Sequence, residues 1–253
     1  ESAGFSTDTD FKKFTANMAS ALDLPLGSFD LDFGYQEKEF GAYDFYTPAK
    51  GYPSKEWTKT YLLDTGLNLV KEGLTIKPNF LWRRHFDKFM LDKTGIRSNY
   101  LASHRTDSYT PSLYLNKSGT NLGKIGLGLE YSKDIINSTS LGKHSRQRKS
   151  VYIDDACNFF ESFLVESSLR VDDYDGIDTS LTGGVKFTYA FQESDFLYSG
   201  ISRNIRIPSF TELYYNDPTT TGNAALSPEK SLSYEIGYKR KRKAFSWGMT
   251  LFF

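Results

Sequence analysis

The sequence predicts an all-β chain, an antiparallel up-and-down transmembrane β-barrel segment, and three observations predict it. Period-two alternation of apolar and polar residues runs through most of the chain, while helical periodicity is nearly absent. Short and long connections alternate along the chain, so the long ones gather at one end of a meander. Several alternating runs exceed the five or six residues of an ordinary soluble strand, and a strand crossing a bilayer needs about 9–11.

Twelve strands follow in order, at approximately 15–24, 29–38, 56–71, 74–89, 102–116, 123–134, 149–157, 163–173, 179–190, 195–204, 230–240 and 244–253. In the second, Phe29, Leu31, Phe33 and Tyr35 alternate with Asp30, Asp32, Gly34 and Gln36. In the third, Trp57, Tyr61, Leu63, Leu67 and Leu69 share one face, opposite Thr58, Thr60, Asp64 and Asn68. The fourth sets Leu74, Ile76, Phe80, Trp82 and Phe86 against Thr75, Lys77, Asn79, Arg83, His85 and Asp87. The sixth carries Ile125, Leu127, Leu129 and Tyr131. The ninth is the cleanest, with Leu181, Val185, Phe187 and Tyr189 facing away from Thr182, Lys186 and Thr188. Leu232, Tyr234, Ile236 and Tyr238 mark the eleventh, and Trp247, Met249, Leu251 and Phe253 the last. The segments 149–157 and 195–204 alternate poorly.

The connections 25–28, 72–73, 117–121, 192–194 and 241–243 read as tight turns. Those at 39–55, 90–101, 135–148 and 205–229 read as long loops, and 174–178 is short where the rule asks for a long one. Short turns at one end and long loops at the other are the layout of an outer-membrane barrel. A soluble β-sandwich also alternates, with its apolar side inward. Strand length, one-sided loops and aromatics near strand ends favour lipid: Trp57, Tyr61, Trp82, Phe86, Tyr131, Tyr198, Tyr234, Tyr238 and Trp247 are placed to sit at the two interfaces.

Composition excludes several classes. The 253 residues carry 31 Lys+Arg and 31 Asp+Glu, so a neutral chain offers no global attraction to nucleic acid. Aromatics make up 16% of a chain whose mean hydropathy is −0.48, whereas soluble cores are built mostly from Leu, Ile and Val. The single cysteine, Cys157, rules out an internal disulfide framework. No apolar run reaches the length of a membrane-spanning helix. Glu1 opens no signal peptide, so the chain is expected to be either cytoplasmic or a mature or cut piece. There is no nucleophile elbow, phosphate loop or dinucleotide fingerprint, and His85, His104 and His144 lack metal-ligand spacing. Neither an enzyme nor a cofactor is expected.

The stretch "SRNIRIPSFTELYY" followed by "GNAALSPEKSLSYEIGYK" resembles the signature of TonB-dependent outer-membrane receptors. Arg206, Pro208, Ser209, Phe210, Glu212, Leu213 and Tyr214 match its first half. Gly222, Asn223, Leu226, Pro228, Glu229, Lys230, Ser231, Tyr234, Glu235 and Gly237 match its second. "LRVDDYDG" (169–176), "FGAYDFYTP" (40–48) and "YPSKEWTKTY" (52–61) resemble further stretches of the cobalamin and ferric-siderophore branch. The resemblance implies a receptor for a scarce, bulky ligand, vitamin B12 or a ferric siderophore, in the bacterial outer membrane. It implies outer-membrane lipid as surroundings and energy from TonB and the proton-motive force, delivered through an N-terminal plug. It also implies twenty-two strands, of which this chain would hold about twelve, with neither plug nor TonB box. The expectation is therefore the barrel part of a larger receptor, although a closed twelve-stranded barrel is physically allowed. A passive porin-like channel and a soluble β-sandwich binding protein stand as alternatives.

Loop aromatics suit a large, partly apolar ligand, which nominates Phe40, Tyr43, Phe45, Tyr46 and Tyr52, together with Tyr214 and Tyr215 at the mouth of the loop 205–229. The motif residues Arg206, Pro208, Ser209, Glu212, Asn223, Pro228 and Glu229 read as structural, with Arg206 and Glu212 a candidate ion pair at the loop base. Asp172, Asp173 and Asp175 crowd one short loop as calcium candidates, but the twelfth position counted from Asp173 is Gly184, not the glutamate of an EF-hand, and a solvated acidic loop is favoured.

Overall fold

The computed structural model describes residues 8–45, 50–120, 123–216 and 220–253. Its strands are β1 (Phe11–Leu24), β2 (Gly27–Gly41), β3 (Lys55–Lys71), β4 (Leu74–Met90), β5 (Leu101–Thr120), β6 (Gly123–Ser138), β7 (Gly142–Phe160), β8 (Phe163–Tyr174), β9 (Ile177–Gln192), β10 (Asp195–Arg206), β11 (Glu229–Lys241) and β12 (Ser246–Phe252). One five-residue helix, α1 (Phe210–Tyr214), interrupts the last long loop. Every strand pairs antiparallel with its sequence neighbour, giving one 12-stranded sheet in the order β1 to β12. Among the described residues β1 and β12 are the sheet edges and do not pair with each other.

The ladders carry one face across the whole sheet. On β1–β2 the pairs Met18↔Phe33 and Leu22↔Phe29 share the apolar side, and Asn17↔Gly34 and Ala19↔Asp32 the polar side. The apolar side continues through Phe33↔Leu63, Leu63↔Trp82, Trp82↔Tyr109, Leu129↔Val151, Val171↔Leu181 and Ile201↔Tyr234. The second sheet that a sandwich needs is absent from the described residues. Phe187 and Leu232 lie on this one outward face, 41% and 54% exposed, not across a dry centre. Among the described residues the few buried apolar side chains, Ala42, Ala102, Ile136, Leu141 and Leu213, sit at the loop-side end, while ten polar or charged residues are also buried. That inverts a soluble core, and it follows from a sheet whose apolar face is meant for hydrocarbon.

The outward apolar band ends at a girdle of rings. Tyr35 and Tyr61 are direct partners with ring centroids 5.1 Å apart, and Trp82 and Tyr109 are partners on the next two strands. Tyr131 continues the row on β6. Tyr238 and Trp247 pack edge to face at 5.1 Å near the opposite end. Tyr198 is the exception to the predicted girdle. It lies on the inward side, where its hydroxyl meets Thr250 Oγ1 at 2.5 Å and its ring covers Gly237. Inward glycines serve rings in this way elsewhere: a Cβ on Gly128 would sit 1.9 Å from the Tyr152 ring.

The first eleven strands exceed their predicted lengths, the last is shorter than 244–253 at seven residues, and one predicted loop is not a loop. Residues 135–148 belong mostly to β6 and β7, paired Ile135↔Ser145, Ile136↔His144 and Ser138↔Gly142, with a three-residue turn at 139–141. Ser138 Oγ closes that turn by accepting from the amides of Ser140 and Leu141 at 3.1 and 2.9 Å, and Gly142 takes φ 81°. The poorly alternating 149–157 is likewise the middle of the 19-residue β7. The physical reason is common to both. Above the girdle water wets both faces, so ladder hydrogen bonds persist while hydrophobic alternation fades. The 20-residue β5 measures roughly 66 Å along its axis, well beyond a tilted crossing of an apolar band about 25 Å tall.

Candidate functional site

Three connections at one end of the sheet are long: residues 42–54, 91–100 and 207–228. Two others at that end, 139–141 and 175–176, are minimal hairpins. The long loops form two separate assemblies at that end.

The first joins 42–54 to 91–100. Asp44, at φ 56°, accepts the amides of Gly51 and Tyr52 through Oδ1 at 2.6 and 2.9 Å, and so closes its own loop. Ser54, fully buried, donates its hydroxyl to the Leu91 carbonyl at 2.8 Å, and the Lys93 amide donates to Pro53 O at 3.1 Å. Asp92 is 2% exposed and accepts from the Thr94 amide, the Thr94 hydroxyl and the Arg97 amide at 2.8, 2.6 and 2.7 Å. The Thr94 hydroxyl first, then the backbone amides, hold its carboxyl down at about 2. Arg97 then reaches across to the Gly51 carbonyl at 2.7 Å and lies 5.8 Å over the Tyr52 ring. Lys93 pairs with Asp8.

Of the residues nominated here, Tyr43 and Phe45 are exposed at the loop tip and Tyr52 is engaged by Arg97. Tyr46 lies outside the described residues. Phe40 belongs to β2 and to the inward face, not to the loop. There it forms part of a row that sequence reasoning missed. The ladder runs Phe11↔Phe40, Phe40↔Glu56, Glu56↔Phe89 and Phe89↔Ala102, placing three rings and one carboxyl along the inner rim. Flanked by Phe40 and Phe89, the Glu56 carboxyl is pushed up to about 7, first by burial and then by Asp87. The signal was present, since Phe40 and Phe89 both break the polar half of their strands' alternation, but only register puts them side by side.

The second assembly is loop 207–228. Arg206 holds it closed: its Nη1 and Nη2 donate to the two oxygens of Glu212 at 3.0 Å each, and its Nε donates to Glu229 at 2.8 Å. Arg206 hydrogen bonding holds the Glu212 carboxyl at about 2, aided by Ser209, and lowers Glu229 as well. Ser209 and Glu212 form a capping box that starts α1: Ser209 Oγ accepts the Glu212 amide at 3.2 Å and Glu212 accepts the Ser209 amide at 2.7 Å. The Ser-x-x-Glu spacing is a capping-box signature visible in the sequence itself. Pro208 is buried, and its missing donor fits the strand exit that precedes the helix. The returning limb packs under the helix, with the Asn223 amide on Glu212 O at 2.9 Å and Asn223 Oδ1 turning the chain at Ala225. A Cβ on Gly222 would come within 2.8 Å of Leu213 and Tyr215 backbone, so only glycine fits. Pro228 directly precedes β11.

The loop then crosses the β8–β9 hairpin to reach β7. Arg146 donates to Pro208 O at 2.8 Å and lies 4.8 Å over the Phe210 ring. His144 stacks face to face on Tyr214 at 3.7 Å and is fixed by its own contact with Leu141 O at 2.6 Å. Tyr214 is therefore engaged by the inward wall, and Tyr215 is the helix C-cap, its amide on Thr211 O. The minimal connection at 175–176 lets this crossing happen.

The three aspartates do not converge. Asp172 is buried on the inward face, bound by Arg170 Nε at 2.8 Å and Ser150 Oγ at 2.5 Å. Arg170 and Arg148 also bind Glu130, so Asp172 is committed to a charge network. Asp173 takes the opposite face, paired with Lys149, and Asp175 lies in the turn. No group of three metal-ligating side chains forms among the described residues.

A sequence model described as TonB dependent receptor-like, beta-barrel, matches residues 2–253, almost the entire chain. The chain belongs to this TonB-dependent receptor β-barrel family. Members are receptors and transporters of the bacterial outer membrane rather than enzymes. Among curated proteins, the vitamin B12 transporter BtuB of Photobacterium profundum is 26% identical over 129 residues, covering 50% of this chain and 21% of that protein. The fold matches the siderophore receptor PirA of Pseudomonas aeruginosa at TM-score 0.75, with 16% identity over 96% of this chain and 45% of that receptor. It matches the ferric enterobactin receptor PfeA of the same organism, a G324V mutant, at TM-score 0.76, with 14% identity over 99% and 45%. The siderophore receptor PiuA of Acinetobacter baumannii gives TM-score 0.71 and 16% identity over 100% and 51%. The chain thus spans about half the length, or less, of these TonB-dependent receptors.

Proposed function

We propose that this chain is the ligand-capturing barrel portion of a longer outer-membrane receptor that imports vitamin B12 or a ferric siderophore, energised by TonB and the proton-motive force through a plug held elsewhere in the protein. The observation that carries this reading is the inner row of Phe11, Phe40 and Phe89 with Glu56, at the same end of the sheet as the two braced loop assemblies. Concave, ring-lined mouths with few fixed polar groups suit bulky ligands. Tyr43 and Phe45 extend the same chemistry outward. The motif residues Arg206, Ser209, Glu212, Asn223 and Glu229 act as scaffold, in keeping with their mutual bonds.

The test uses the full-length receptor in cells with and without TonB. Uptake of labelled cobalamin and of ferric chelates is measured side by side. TonB-dependent, saturable uptake of one ligand class is expected, lost on Phe40→Ala/Phe89→Ala. Uptake of both that is unsaturable and independent of TonB would establish a passive channel.

A further inference from the structure

We propose that Glu56 makes ligand capture at the mouth proton-linked: its carboxylic acid form receives an apolar ligand edge that carries an oxygen acceptor, and its carboxylate form rejects that edge. It rests on the import reading above and supplies the chemistry of one contact. Register sets Glu56 between Phe40 on β2 and Phe89 on β4, with Phe11 and Ala102 extending the same inward row on β1 and β5. Glu56 is the one polar side chain among these five, and it is half-buried, as are Phe40 and Phe89.

The surrounding charges leave that carboxyl without a cation. The next inward row toward the membrane carries Lys13, Lys38, Thr58, Asp87 and His104. One row further down, His85 is held by Thr60, Oγ1 to Nδ1 at 2.8 Å. Toward the loops, Ala42 and Ser54 are buried and Asp92 is taken by Thr94 and Arg97. Lys55 and Glu39, beside Glu56 in sequence and in register, pair with each other on the outward face. The groups that face Glu56 are therefore Asp87 and the two histidines on one side, and Lys38 and Lys13 on the other. Among the described residues neither lysine forms a salt bridge with Glu56 or Asp87, and Asp87 Oδ1 is buried without a hydrogen-bond partner.

Burial between apolar neighbours penalises the charged form, and a nearby like charge adds to that penalty. Both act on Glu56, burial first and Asp87 second, and push its carboxyl up to about 7. The neutral acid is a hydrogen-bond donor, whereas the carboxylate only accepts. An amide or chelate oxygen at the ligand's edge accepts from the acid and is repelled by the carboxylate. A ligand seated on Phe40 and Phe89 also covers Glu56, which removes its remaining water and makes its charge costlier still. Above neutrality, capture therefore takes up one proton from solvent, and affinity falls about tenfold for each further pH unit.

The test titrates the full-length receptor with cyanocobalamin, a ferric trihydroxamate and a ferric triscatecholate, each of which keeps one protonation state between pH 6 and pH 8. The probe that binds should do so about tenfold more tightly at pH 6 than at pH 8. Calorimetry at pH 8 in two buffers of different ionisation enthalpy should show one proton taken up. Glu56→Gln, which keeps a neutral donor, should bind equally at both pH values, near the wild-type affinity at pH 6, and take up no proton. Asp87→Asn, which removes the like charge, should move the fall in affinity to lower pH. Retained heat-modifiable migration shows that each variant folds. A wild-type affinity that is flat with pH, or an unchanged fall in Glu56→Gln, overturns the proposal. A fall that survives in Glu56→Gln but vanishes in His104→Gln assigns the proton to the histidine and overturns it equally. Binding of none of the probes at either pH overturns the import reading itself, a distinguishable result.

Discussion

The two loop assemblies at the mouth are held in different ways. The pair 42–54 and 91–100 closes on buried groups, Ser54 and Asp92, whose partners are mostly backbone. Loop 207–228 closes on an exposed ion cluster around Arg206, backed by ring stacking on His144 and Arg146. Exposed ion pairs contribute little and are screened by salt, whereas removing one partner of a buried polar group leaves the other unsatisfied. The first assembly is thus a fixed wall and the second is the part free to yield.

The largest expected effect comes from breaking the wall. Asp92→Ala strands the Thr94 and Arg97 amides, and should accelerate amide exchange throughout 42–54 and 91–100 by about 100-fold while leaving α1 unchanged. Hydrogen-exchange mass spectrometry on the receptor reads both regions at once, and a change confined to 92–97 would contradict the coupling. Next, Arg206→Ala should accelerate exchange in 209–216 about 10-fold, and 1 M salt should reproduce part of that in the wild type but none of it in 91–100. Equal salt sensitivity in the two assemblies would erase the contrast.

Acid separates these groups from Glu56. Glu212 and Asp92 have folded values lowered to about 2, so the stability they give is present above about 4.5 and is lost as pH falls toward 2. Glu56 has the opposite sign. Its folded value is raised to about 7, so the upper ends of β3 and β4 lose stability as pH rises from about 4.5 through 7. Exchange there, corrected for its intrinsic rate, should be slower at pH 5 than at pH 8, and Glu56→Gln should remove the difference. The smallest effect is His144→Ala, which should loosen α1 roughly threefold through loss of the Tyr214 stack.

Legibility in the sequence divides along the girdle. Below it hydrocarbon demands one apolar face, so Phe29 to Tyr35 and Leu181 to Tyr189 announced strands, faces and pairing order. Above it water accepts both faces, so β6 and β7 near Ile135–Gln147 read as a loop although they are paired strands. Tyr198 was misplaced because its ring fills the space over Gly237, a cross-strand relation that local pattern does not carry. The loop motif from Arg206 to Glu229 was recognisable, and the Arg206–Glu212 pair was anticipated from charge alone. Its docking partners His144 and Arg146 lie some sixty residues earlier, and nothing local links them.

The amino-acid sequence by itself determined the all-β class, the number and order of strands, the end on which long loops gather and the family signature. These depend on local periodicity and on residues close in the chain, which the surrounding medium converts directly into structure. Only tertiary structure decided the inner row Phe11–Phe40–Glu56–Phe89 and the reach of loop 207–228 to β7. Each of those is fixed by register and sheet twist, which bring together side chains that no window of sequence contains.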